Sequence, residues 1–454
     1  MPGVDKFSNE IFMRIINFIP LWDGLEQVIL CCRLFFQLGY TALMKHRRLK
    51  RRYGSLLFVR GVPKSPCMNR ILCDLLEDGD IGPHVTKVHL AWYGDFGLNN
   101  FTHTHDFVRS HENGIHDLID SCGYISSANK SGWKRDILIE ETGASAALAL
   151  TLLPNLKSIT MEVMMDEPAP RLFEFLSTLQ ASYQVHPTGT HPLGRLQSVD
   201  LDHSGLTVHG EFSLFKYFGS IPSIESLSGE LIIASPERSE WTMGHCKRLH
   251  ELNIRRSCLN ANALKIVLDA TSNLQSFNFS FEAVGVFCLR PQALKQSILQ
   301  VSKHSLVSLC LSADERNAMY GEFIGSLRGF DRLEYICLSC WMVTERPGAE
   351  GGYQYQSRTR RTIHYKEPAN KQAVCPLVDT MPLSMRSLKL TGPCSVQNAR
   401  GLLADLPETG QMTLPRLKTI KFEENSDKLL RICLYLSEKQ LAAIGISLLV
   451  VDGK

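Results

Sequence analysis

Four histidines fall close together in the chain, His103, His105, His111 and His116. Neutral imidazoles bind divalent metals, and two on one helix face with a glutamate beside them can hold zinc and activate its bound water. The nearest approach to that pattern is His111-Glu112-Asn113-Gly114-Ile115-His116. It has one residue too many, because at about 100° per residue the two rings stand about 140° apart instead of sharing a face. Cys337-Leu338-Ser339-Cys340 has a metal or redox spacing but no second Cys-x-x-Cys, and packing of Cys337 on a strand accounts for it better. The sequence contains no Gly-rich phosphate loop, no Gly-x-Ser-x-Gly elbow and no convincing triad. The expectation is a chain that is not an enzyme and needs neither metal nor cofactor.

A second chemical pattern is Lys45-His46-Arg47-Arg48-Leu49-Lys50-Arg51-Arg52. Such a run can serve as a nuclear import signal or a phosphate-binding patch. It can also be a solvated helix end, where cations oppose the negative pole of the helix dipole. That plainer reading is preferred, because a net charge of +3 over 454 residues gives no reason to expect a nucleic-acid partner.

What must position any binding residues is a short phrase that recurs along the chain: apolar, two residues, apolar, one residue, apolar. It occurs from Val85, Leu156, Leu196, Leu249, Leu274, Leu306, Leu333, Met385 and Leu417, with a degraded copy at Ile224-x-x-Leu227. From Leu156 onward the leading residues are 40, 28, 25, 25, 32, 27, 52 and 32 positions apart. Several of these spacings match the roughly 20–29 residues of a leucine-rich repeat, and the longer ones imply insertions. Helical halves stand upstream of strands at Ala147–Leu153, Ala263–Leu268, Ala293–Leu299 and Phe323–Leu327. The order helix, turn, strand predicts a curved α/β solenoid with parallel strands on a concave face and helices on a convex one.

Residues 91–135, rich in Gly, Asn, Ser and His, read as a long irregular insertion, and residues 344–375 as a protruding loop with a possible small hairpin. The apolar run Ile444–Val451 reads as a last strand.

Composition agrees with a folded protein, at 44% hydrophobic and 21% charged residues. The fourteen cysteines lack the spacing of a disulfide framework, and most, Cys310 and Cys337 among them, are assigned to apolar repeat positions. The opening residues show no secretory signal, and no stretch reaches the eighteen or so apolar residues of a membrane span. A cytoplasmic or nuclear setting is expected, with no membrane partner.

The first fifty residues differ from the rest. On a helical wheel Ile11, Phe12, Ile15, Ile16, Phe18 and Ile19 cover about 160°, wider than the roughly 100° stripe that docks a helix on one core. Leu25 to Leu38 is apolar on nearly every face and reads as a buried helix needing cover from the solenoid or another chain. The residues Phe7-Ser8-Asn9-Glu10-Ile11, Ile15-Ile16, Leu25 and Cys31-Cys32-Arg33-Leu34-Phe35 resemble the F-box, with Ser8 where that family has proline and Cys31 where it has valine. The whole chain is similar to F-box proteins with irregular leucine-rich repeats. The resemblance implies an F-box-like helical module at residues 5–52 and a solenoid at 53–454. It places Phe7, Ser8, Ile11, Ile15, Cys31, Cys32 and Phe35 against the Skp-type adaptor of a cullin–RING ubiquitin ligase.

With the anchors turned inward, the period-2 rule sends the intervening strand residues to the concave face. That face would present Glu162, Asp200, Asp202, Glu251, Asn253, Arg255, Asn278, Ser280, Tyr335, Lys389 and Lys421, acidic in the earlier repeats and lysine-bearing in the later ones. The expected function is that of a non-catalytic substrate receptor whose solenoid holds a protein substrate. The alternatives are a merely solvated sheet surface, a repeat scaffold without a ligase role, or a cryptic enzyme using the 91–135 insertion.

Overall fold

Each copy of the repeated phrase builds one strand, because its second and third apolar residues alternate with polar ones at the period of a pleated sheet. In the computed structural model the described residues are 8–19, 24–60, 68–92, 108–139, 142–163, 169–186, 191–202, 210–233, 246–259, 261–282, 290–313, 323–344, 376–392, 394–424 and 428–452. The leading residue of each phrase sits in the turn before the strand and is buried, from Leu156 and Leu196 to Met385 and Leu417. The residue after it opens the parallel ladder: Gln197 N–H donates to Lys157 O and Val307 N–H to Gln275 O, both at 2.8 Å.

The chain forms two compact units, residues 1–208 with 213–227 and residues 209–212 with 228–454. The first holds helices α1 (Asn9–Phe18), α2 (Leu25–Leu30), α3 (Arg33–Tyr53) and α4 (Met68–Glu77). Its strands β1 (Ser55–Arg60), β2 (Lys87–Trp92), β3 (Ser158–Val163) and β4 (Ser198–Asp202) pair in parallel in chain order. In the second unit β8 (Glu251–Ser257), β9 (Ser276–Phe281), β10 (Ser308–Ala313), β11 (Tyr335–Ser339), β12 (Ser387–Thr391), β13 (Thr419–Glu424) and β14 (Ser447–Asp452) do the same. In chain order, β5 (Gly210–Glu211), β6 (Ser226–Glu230) and β7 (Ile232–Ile233) come between these sets, β5 and β7 forming a two-stranded parallel pair. Both units are therefore open parallel α/β arrays built of stacked helix–turn–strand repeats. In the second unit β9 alone buries Phe277, Phe279 and Phe281, the first two rings stacked at 6.3 Å.

The array starts earlier than the phrase signalled. Strand β1 precedes β2 with Leu56 opposite Val88 and Phe58 opposite Leu90, so Tyr53-x-x-Leu56-x-Phe58 is a first copy led by an aromatic residue. The last strand, expected at Ile444–Val451, forms as β14 against β13.

Four expectations change. Leu25–Leu38 is not one helix: Cys32 is extended (φ −153°, ψ 161°) and caps α3, its sulfur accepting from Phe35 N–H at 3.5 Å. The break folds α2 against α3 and lets Leu25 and Ile29 share a core with Leu43, which a straight all-apolar helix could not do. Phe323–Leu327 is not helical; Gly325 takes a left-handed φ of +75°, while Ile324 and Leu327 donate to the Met342 and Thr380 carbonyls. The 91–135 segment is not wholly irregular, since Glu112–Ser121 and Lys130–Leu138 are helices burying Ile115, Ile119, Trp133 and Ile137. Cys310 and Cys337 take the intervening, partly accessible positions of β10 and β11, not the anchor positions. The 344–375 loop lies outside the described residues except for Thr344. Among the described residues no helix is long and apolar enough to cross a membrane.

Candidate functional site

The N-terminal helices divide their apolar residues between two surfaces. Helix α1 sends Phe12 (3% exposed) and Ile16 (2%) inward, Ile16 joining Leu25, Ile29 and Leu43 in one cluster with Ile19, Phe35, Leu38 and Ala42 packed around it. Phe12 meets Phe35 edge to face at 5.1 Å. Gly39 lets α3 approach α2 closely, because a Cβ there would lie 2.8 Å from the Ile29 side chain. The cluster is thus closed by its own residues.

A second set of apolar side chains faces outward. Ile11 is 42% and Ile15 41% exposed, one helical turn apart on α1. Met13, Leu30, Phe36, Tyr40 and Met44 are also exposed, the last three at four-residue intervals on α3, which puts them on one face. Single exposed apolar residues are ordinary, whereas a concentration of them marks a surface meant to be covered. Seven of the sixteen large apolar side chains exposed among the described residues fall between positions 11 and 44.

Of the residues matched to the family's adaptor-binding positions, Ile11 and Ile15 stand on this free surface and Cys31 is exposed nearby in sequence. Ser8 is exposed at the N-cap of α1, with no capping bond from its side chain. Phe35 and Cys32 are half-buried and spent largely on internal tasks, ring packing and capping. Phe7 lies outside the described residues. Phe36, Tyr40 and Met44 were not singled out in the sequence, although their i, i+4, i+8 spacing was available there, and all three are exposed.

The basic run forms the last turns of α3 and is divided among roles. Lys45 pairs with Asp80, Arg47 with Glu26 at 2.6 Å, and His46 and Leu49 are buried. The hydrogen bond from Arg47 holds the Glu26 carboxyl below its ordinary range.

The open strand faces are described unit by unit. In the first, His89, Thr160 and Asp200 lie in register on β2, β3 and β4, and Ala91, Glu162 and Asp202 form the next file. His89 Nε2 is 2.9 Å from Glu162 Oε1, so this face is acidic with one imidazole. In the second, Asn253, Asn278, Cys310, Cys337, Lys389 and Lys421 form one continuous file. Asn278 donates to Asn253 at 2.8 Å, Lys389 pairs with Glu423, and Tyr335 is 48% exposed beside this file. Glu251 is exposed and Ser280 half-buried. Arg255 sits at a bulge where Arg256 has φ +46°, and both guanidinium groups lie 3.5 Å from Glu230. Arg255 thus falls outside the register pairs of its ladder, with its charge already opposed by Glu230.

Of the four clustered histidines the structure describes two, and each of these faces a glutamate. His111 bonds Glu77 at 2.6 Å, His116 lies 3.8 Å from Glu112, and His103 and His105 are outside the described residues. Among the described residues no group of three or more His, Cys, Asp or Glu is arranged to hold a metal ion. No protein-family model matches the chain, and none of the curated proteins matches it.

Proposed function

We propose that this chain is a substrate receptor of a cullin–RING ubiquitin ligase: an F-box-like module, α1–α3, docks a Skp-type adaptor and a leucine-rich-repeat array holds a protein substrate. The observation that carries the reading is the outward apolar stripe of Ile11 and Ile15 over a core that Phe12 and Ile16 have already filled. A helical cap that only closes a repeat array needs a polar outer face, and this one exposes seven large apolar side chains among its polar ones. The receptor would work by proximity, raising the effective concentration of substrate lysines near a separate conjugating enzyme. On this reading it acts in the cytosol or nucleus and uses no cofactor of its own.

The second reading, a repeat scaffold with no ligase role, is favoured by the way α3 runs through Gly54 directly into β1 and pairs Lys45 with Asp80, as a built-in cap would. Co-precipitation separates the two. Wild-type chain should recover the adaptor and cullin, and Ile11→Asp and Phe36→Asp should lose both while the repeats stay folded. Equal recovery by wild type and variants, or none from wild type, favours the scaffold.

A further inference from the structure

Cys310 and Cys337 are 27 positions apart in sequence but are direct register partners on the adjacent parallel strands β10 and β11. Neighbouring strands are about 4.8 Å apart, inside the window of about 4.4–6.8 Å between Cα atoms that a disulfide requires. Both thiols are partly accessible, and the register sets them side by side on one face of the sheet. The next residue in the file is Lys389, and Glu423 pairs with it. The Cys-x-x-Cys spacing is irrelevant to this pair: Cys340 is buried at the start of a short helix, whereas Cys310 meets Cys337 across the ladder.

We propose that Cys310 and Cys337 form a dithiol modification site on the open sheet face, which a peroxide closes to a cross-strand disulfide. Cys337 is the attacking sulfur. It is the member of the pair whose other register neighbour is Lys389, a cation that favours the thiolate; the adjoining Cys310 thiol and the Lys389 charge hold its pKa below the ordinary thiol value, while Cys310 is pushed up by Cys337 and by burial. The Cys337 thiolate attacks one peroxide oxygen and the O–O bond breaks. The departing hydroxide takes a proton and leaves as water, and Cys337 becomes a sulfenic acid. The sulfur of Cys310 then attacks that of Cys337. The S–S bond forms as the S–O bond breaks, and the hydroxide leaves with the Cys310 proton as a second water. Two thiols are oxidised and one peroxide is reduced to two waters.

Reduced full-length chain treated with hydrogen peroxide, blocked with N-ethylmaleimide and digested without reductant should yield the Cys310–Cys337 linked peptide. That link should form about tenfold faster than exposed Cys31 is oxidised and should disappear with dithiothreitol. Cys310→Ser should stop at a Cys337 sulfenic acid trapped by dimedone, and Cys337→Ser should give no linked peptide. Thermal melts of both variants verify the fold. The proposal is overturned if wild-type Cys337 proceeds to sulfinic acid without linking, if it reacts no faster than Cys31, or if the oxidised chain carries Cys337 linked to another cysteine.

Discussion

His46 Nδ1 lies 3.1 Å from His84 Nε2, and both rings are buried. The second nitrogen of His84 is 2.7 Å from the Asp80 carbonyl oxygen. A carbonyl only accepts, so His84 Nδ1 donates there, and its Nε2 shares a single proton with His46 Nδ1. This ring-to-ring bond fixes the end of α3 to the turn that leads into β2.

Replacing His84 by phenylalanine keeps the ring volume and removes its bonds to His46 and to the Asp80 carbonyl. A buried polar group deprived of its hydrogen bond costs about 1–3 kcal/mol, so the denaturation midpoint of His84→Phe should fall. Lys45→Ala removes only the partly exposed pair with Asp80 and should cost less than about 1 kcal/mol. Equal losses would show that the ring contact is incidental.

The division of α1 into two surfaces makes opposite predictions for neighbouring isoleucines. Ile16→Asp places a charge in the filled cluster and should melt α1–α3, read as lost helical circular dichroism and rapid proteolysis. Ile11→Asp sits on the exposed side and should change stability by no more than about 0.5 kcal/mol. Unfolding by Ile11→Asp would mean that this side is also needed for folding.

Repeat stacking predicts a similar contrast on one ladder. Leu309 is a fully buried anchor of β10, and Leu309→Ala should cost about 2–5 kcal/mol in chemical denaturation. Tyr335→Ala on the open face should stay within about 0.5 kcal/mol.

Acid should loosen the first unit through Glu174. Burial works to raise its pKa, but hydrogen bonds from Asn129, Arg171 and Trp133 outweigh this and leave it below 4.5. A carboxylate depressed in the folded state stabilises above its unfolded pKa, and that stabilisation is lost as pH falls through the lower folded value. The stability of wild type should therefore decline below about pH 4.5 more steeply than that of Glu174→Gln, measured as melting temperature against pH. Parallel profiles would remove Glu174 from the acid response.

Much of the repeat fold was legible because Leu-x-x-Leu-x-Leu is both a sequence pattern and a strand geometry. Leu274, Phe277 and Phe279 sit where that pattern puts them, as do the open-file residues Asn278 and Lys389. The first repeat escaped because its lead is Tyr53. The break at Cys31-Cys32 escaped because an all-apolar segment carries no phase that distinguishes one helix from two. Phe323–Leu327 has a helical composition, but Gly325 and its cross-connections to Met342 and Thr380 decide otherwise. The pairing of Cys310 with Cys337 depends on inter-strand register, which spacing along one strand cannot reveal.

Calorimetric titration of the purified full-length chain with a Skp-type adaptor tests the apolar helical surface most directly. The receptor reading predicts a one-to-one complex with a Kd at or below about 1 μM, weakened at least tenfold by Ile11→Asp and unchanged by Tyr335→Ala. Absence of binding by the folded wild type, or binding that Ile11→Asp leaves untouched, would contradict it.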